Sequence, residues 1–126
     1  MKQLHRKPTD AELAILRILW SRGPSTVRDV AAAMGREGAY TTVLKLLQIM
    51  TEKQLVVRDE SARTHVYKAS QTESDTQQHL IADLLNRAFD GSAAKLVMSA
   101  LSSKKTSAKE LAEIRKLLKS KQGGGE

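Results

Sequence analysis

Three histidines, His5, His65 and His79, have the broadest chemistry at neutral pH, because an imidazole can move a proton or bind a metal. They are scattered along the chain. No H-E-x-x-H motif, glycine-rich phosphate loop or Gly-x-Ser-x-Gly elbow accompanies them. His79 and Asp83 stand one helical turn apart and could share a metal, but two ligands without a third describe a surface pair far better. The absence of cysteine excludes disulfides, thiolate metal ligands and cysteine nucleophiles. Trp20 and Phe89 could wall an effector pocket, but single aromatics at helical spacing are usually core. The chain is therefore read as no enzyme, with no metal site and no cofactor.

A second set of side chains suits binding. In "AYTTVLKLLQIMTEKQLVVRDESARTHVYKA", residues 39–69, Val43, Leu46, Leu47 and Met50 predict a helix over about 40–54 with one buried stripe. At 100° per residue, Thr41, Lys45 and Gln48 point the opposite way, flanked by Thr42 and Leu44. Their hydroxyls, amide and ammonium can bond to phosphate oxygens and base edges, and their methyl and aliphatic groups can meet thymine methyls. The β-rich runs "LVVRDE" and "THVYKA" around Ser61-Ala62 predict an antiparallel hairpin, with Arg63 near its tip and Arg58, His65 and Lys68 on its strands. An arginine there can enter a minor groove or clamp a phosphate, because its planar guanidinium stays charged and sheds water more readily than an ammonium. On spacing alone, a solvated helix face and a solubilising loop charge stay open as alternatives. The basic residues Lys2, His5, Arg6 and Lys7 are read as a frayed end.

These candidates need elements to hold them. Thr9 to Glu12 reads as a capping box opening a helix to about Arg22, with Leu13, Leu16 and Trp20 on one stripe, Ile15, Ile18 and Leu19 close by, and Gly23-Pro24 as its stop. Thr26 to Asp29 starts a second helix, with Val27, Val30, Ala31 and Met34 on one face, ended by Gly35 and the link "REG". Three helices followed by a hairpin is the order of a winged helix-turn-helix domain. After it, Leu80, Ile81, Leu84, Leu85 and Ala88 share a helix face, as do Leu96, Val97, Ala100 and Leu101. Ser107 to Glu110 then opens a helix carrying Leu111, Ile114, Leu117 and Leu118. Some fifty residues cannot bury three apolar stripes alone, so a second copy of the chain is the expected cover. The fold class is mainly α with a small β-hairpin. Residues 1–70 read as a winged-helix DNA-binding domain, 71–122 as a three-helix dimerisation region and 123–126 as a disordered tail.

Composition agrees with this reading. The 126 residues are 40% hydrophobic but only 3% aromatic, which suits helices packed through aliphatic side chains. The net charge of +7 favours a polyanionic partner. Residues 1–70 hold 12 Lys and Arg against 7 Asp and Glu, whereas 71–126 hold 9 against 7, so the excess lies in the half read as binding DNA. No apolar run approaches a membrane span and the N-terminus lacks a signal-peptide stretch, so the cytoplasm is the expected location. A winged helix that binds another protein, without sequence-specific DNA binding, remains the alternative from a different class.

The stretches "TDAELAILRILWSRGPSTVRDVAAAM" and "AYTTVLKLLQIMTEKQLVVR", followed by "LLNRAFDGSAAKLVMSAL" and "KELAEIRKLL", resemble the bacterial repressors of the penicillinase-repressor type, BlaI/MecI. The resemblance covers nearly the whole chain. Its most specific element is Tyr40-Thr41-Thr42-Val43. It implies a homodimeric winged-helix repressor on a palindromic operator, with Thr41, Thr42 and Lys45 in the recognition helix and Arg63 in the wing as DNA contacts; with the helical spacing, the candidate DNA-binding set is Tyr40, Thr41, Thr42, Lys45, Gln48 and Arg63. Its C-terminal stretches are similar to the family's dimerisation part, and the residues expected at the seam from the apolar spacing are Leu80, Ile81, Leu84, Leu85, Leu96, Val97, Leu111, Ile114 and Leu118. Release would follow cleavage near Ser99-Ala100 in "LVMSALSS" by the system of a membrane sensor metalloprotease responding to a β-lactam. This chain departs from the family there, since characterised members carry an asparagine-aromatic pair. It also lacks the C-terminal cysteine pairs of the copper-responsive relatives.

Overall fold

The computed structural model describes residues 7–35 and 38–124. The expectations for Lys2, His5, Arg6 and most of the "REG" link lie outside these residues. The elements in chain order are α1 (Asp10–Arg22), α2 (Val27–Met34), α3 (Ala39–Glu52), β1 (Val56–Asp59), β2 (Val66–Ala69), α4 (Glu73–Ala88), α5 (Ala93–Ser103) and α6 (Ala108–Gly124). This is a mainly α winged-helix arrangement with one antiparallel hairpin.

Local chemistry fixes where the first helices begin and end. The Glu12 amide donates to Thr9 Oγ1 at 3.2 Å, and the Thr9 amide donates to Glu12 Oε1 at 2.9 Å. Thr26 and Asp29 repeat this exchange at the start of α2, at 3.0 and 3.1 Å. Each box satisfies amide donors that the first turn of a helix leaves without partners. Gly35 closes α2 in the left-handed conformation, at φ 69°.

The end of α3 uses a device that leaves no glycine in the sequence. The Leu55 amide bonds to Met50 O at 2.9 Å and the Gln54 amide to Thr51 O at 3.1 Å. This is the Schellman arrangement, which puts Gln54 in the left-handed region at φ 67°. The helix therefore stops at Glu52, earlier than the apolar spacing suggested.

The core of the winged helix is built from Ile15, Leu16, Leu19, Val27, Val30, Val43, Leu47, Met50, Val56 and Tyr67, all buried. Leu13, Trp20, Ala31, Met34 and Leu46 pack around it half-buried. In the hairpin Val56 faces Ala69, Val57 faces Lys68, Arg58 faces Tyr67 and Asp59 faces Val66. A third, one-residue partner joins this sheet. The Ser25 amide donates to Tyr67 O at 2.9 Å and the Tyr67 amide to Ser25 O at 2.8 Å, which ties the hairpin to the α1–α2 turn. The indole Nε1 of Trp20 donates to Gln71 O at 2.9 Å, fastening the segment after the hairpin to α1.

Glu12 serves two elements. Its side chain is buried, yet both carboxylate oxygens lie 2.9 Å from Lys53 Nζ at the end of α3. Burial pushes its pKa up, but the bonds from Thr9 and Lys53 outweigh that and hold it below its ordinary value.

The chain divides into a unit ending at Ile81 and a unit beginning at Ala82, a division inside α4 and later than residue 70. In the second unit the Glu110 amide donates to Ser107 Oγ at 3.1 Å at the start of α6, and α6 continues to Gly124, into the stretch read as a tail. None of the described residues in α5 is buried.

Two expectations follow. Glu12→Gln should cost about 2 kcal/mol, because it leaves the half-buried Lys53 ammonium without its carboxylate. The charged form of Glu12 favours the folded state, so this contribution is complete above about pH 4.3 and is lost as pH falls through the lower folded value. Urea denaturation at pH 7 and pH 3 should therefore show a smaller gap between variant and parent at pH 3. Gln54→Gly should raise stability by about 0.5–1 kcal/mol, since glycine takes the left-handed conformation without steric cost, and the same denaturation series reads it.

Candidate nucleic-acid interface

One turn after another along α3, Val43, Leu47 and Met50 face the core. The opposite side then presents Thr41, Lys45 and Gln48, all exposed. Glu52 falls on the same outward row at the end of the helix and is exposed too. A carboxylate there repels phosphate, which confines the usable part of the row to Thr41, Lys45 and Gln48.

The flanks of this row differ. Tyr40 leans toward the hairpin, where it lines a concavity of about 320 Å³ with Arg28 of α2 and with Arg63 and His65 of the loop between the strands. Thr42 leans the other way. It lines a separate concavity of about 300 Å³ beside Ala11 and Ala14 of α1. Of the candidate contacts, Tyr40 and Arg63 are thus brought to one place, and Thr42 is turned from it.

Arg28 is a candidate that sequence reasoning missed. It stood inside a helix-start signal, and nothing in its spacing pointed at the hairpin. Its guanidinium lies 6.0 Å from the centroid of the Tyr40 ring, at the outer range of a cation–π contact. The signal that could have found it is its place in the first turn of α2, beside the Asp29 carboxylate that is spent on the cap.

The flanking basic residues divide. Arg58 is committed to the hairpin, where its Nε donates to Glu60 Oε2 at 2.6 Å. Its pKa is raised by the Tyr67 hydroxyl and then by the Glu60 carboxylate. Its register opposite Tyr67 explains this, since cross-strand neighbours share a face. Lys68 pairs with Val57 on the other face, and both are exposed. At the tip, the Ser61 amide donates to Asp59 Oδ1 at 2.9 Å and holds that carboxyl below its usual range. This turn precedes Arg63, which is exposed.

Comparison with known proteins gives this geometry a family. A profile of the penicillinase repressor family matches residues 8–120. The chain belongs to the penicillinase repressor family. The transcriptional regulator BlaI of Mycobacterium tuberculosis is 38% identical over 84 residues, which is 64% of this chain and 61% of that protein. The match thus spans less than two thirds of that relative. A penicillinase repressor of Bacillus licheniformis is 22% identical over 112 residues, 87% of this chain and 88% of that one. Both relatives are named as regulators of transcription rather than as enzymes. The solution structure of apo-NmtR has a TM-score of 0.47 and 28% identity, covering 64% of this chain and 66% of that one, a likeness that adds nothing to the family assignment.

In this penicillinase-repressor chain the residues expected at a dimer seam have little cover. Ile81, Leu84, Val97 and Leu118 are exposed, while Leu80, Leu85, Leu96, Leu111 and Ile114 are half-buried. Leu117, of the α6 stripe, is exposed too, as is Met98 of α5 at 67%, which was not among the expected seam residues. Ser99 and Ala100 are exposed within α5. No helix among the described residues is long and apolar enough to cross a membrane.

Proposed function

We propose that this protein is a sequence-specific DNA-binding transcriptional repressor acting as a homodimer in the cytoplasm. The observation that carries the reading is the shared concavity of Tyr40 and Arg63, which brings the first turn of α3 and the wing to one place. Such a surface matches a duplex. Thr41, Lys45 and Gln48 reach base edges and phosphates from the major groove, while Arg63 reaches the adjoining backbone or minor groove.

Dimerisation makes weak half-site binding useful, because linking two domains raises the effective concentration of the second once the first is bound. The apolar residues of α4, α5 and α6 offer the seam. For a two-fold dimer the half-sites of a palindromic operator lie about one helical turn, ~10 base pairs, apart or a multiple of it. Release follows from cutting the seam at Ser99-Ala100 after a β-lactam type of signal relayed by a membrane sensor metalloprotease. That bond sits in a helix, and a protease needs an extended strand. Local opening of α5 therefore precedes cleavage.

Two experiments test this reading. Fluorescence anisotropy against promoter fragments should show salt-sensitive, sequence-selective binding, and Lys45→Ala should weaken it about tenfold with the melting temperature unchanged. Binding without selectivity or salt dependence favours a protein-binding winged helix instead. Leu84→Glu should shift the sedimentation equilibrium from dimer to monomer, because it sets a charge in an apolar seam. A dimer that survives the change would remove α4 from the interface.

A further inference from the structure

Three elements distant in sequence meet around the concavity beside Tyr40: the start of α2, the first turn of α3 and the wing. Arg28, Arg63, Thr64 and His65 are among the residues that line it. Among the described residues no carboxylate lines it. Asp29, the nearest acid in sequence to Arg28, is spent on the Thr26 cap. Neither Arg28 nor Arg63 has a carboxylate partner among the described residues. Arg58, by contrast, is neutralised by Glu60. Two arginines without a carboxylate partner among the described residues therefore line one small space of about 320 Å³.

Two guanidiniums without a counter-ion repel each other, and the arrangement becomes favourable when an oxyanion sits between them. The Tyr40 ring makes the seat more ordered. Its face holds the Arg28 guanidinium at 6.0 Å, which reduces the rotamer freedom that a long exposed side chain would otherwise lose on binding.

We propose that the concavity between α2, α3 and the wing seats one phosphate group of the DNA backbone between Arg28 and Arg63, with Tyr40 as the positioning residue for Arg28. The inference rests on the DNA-binding reading and deepens it, because it assigns to α2 a contact that fixes the register of α3 on the duplex. A phosphate contact carries no base information. Its role is to hold the outward row of α3 at one depth and angle while Thr41, Lys45 and Gln48 read the groove.

Because the contact is independent of sequence, any duplex reports it. The full-length protein is titrated with a 30-base-pair duplex of arbitrary sequence at several salt concentrations, and separately with inorganic phosphate followed by the NMR signals of the arginine side chains. Arg28→Ala should lower duplex affinity about tenfold and reduce the slope of log K against log salt by about one per protomer. Tyr40→Phe should retain the slope, and Tyr40→Ala should lower the affinity without removing the full unit of slope. Inorganic phosphate perturbing Arg28 and Arg63 together at millimolar concentration would show that the seat takes a free phosphate as well as a backbone one. If the parent protein binds duplex and Arg28→Ala leaves both affinity and salt slope unchanged, the seat is overturned and the DNA-binding reading stands. If the parent binds no duplex, both fall.

Discussion

The exchange of backbone hydrogen bonds between Ser25 and Tyr67 is the constraint on which the rest of the binding surface depends. A hairpin of two four-residue strands is marginal on its own. Here it gains a third partner in the α1–α2 turn, and it drives the Tyr67 side chain into the core, where only 2% of the residue stays exposed. Burial of a large aromatic ring supplies much of the energy that a short hairpin lacks. The outer consequence matters as much. With Tyr67 pinned, the loop that follows β1 is held beside the start of α2 and the first turn of α3, and Arg63, Arg28 and Tyr40 come to line one space.

A second tie sets the other end of α3. Glu12 caps α1 through Thr9 and receives the Lys53 ammonium from the end of α3, forty-one residues away in sequence. Helix α3 is thus held along its length by Val43, Leu47 and Met50 in the core and at its end by the Glu12–Lys53 ion pair and the left-handed Gln54. A helix held in this way presents its outward side chains in one orientation, the condition for direct reading of base edges.

Much of this was legible in the amino-acid sequence, for physical reasons that differ by element. Helix starts were visible because capping uses short-range chemistry: Thr9 with Glu12 and Thr26 with Asp29 sit three residues apart and satisfy each other. The hairpin was visible because β-branched residues cluster in its strands. The buried stripe of α3 and its outward row were visible because a helix has a fixed period. What stayed hidden rests on single long-range contacts, which have no period. The Ser25 bridge, the Lys53 partner of Glu12 and the closeness of Arg28 to Tyr40 are of this kind. Arg58 shows the converse, since the sequence places it on the basic wing, while its register opposite Tyr67 and its bond to Glu60 commit it to the hairpin. The apolar faces of α4, α5 and α6 were legible as faces, but the amino-acid pattern alone holds no image of what covers them.

The central claim is that the outward row of α3 and the wing form one DNA-reading surface. Titration of isotope-labelled protein with a duplex from its own promoter, followed by amide chemical shifts, tests it most directly. The expected result is perturbation concentrated at Thr41, Lys45, Gln48 and the wing around Arg63, saturating at one protein dimer per palindromic site. Perturbations confined to α5 and α6, or absent from α3 while the duplex is bound, would contradict the account.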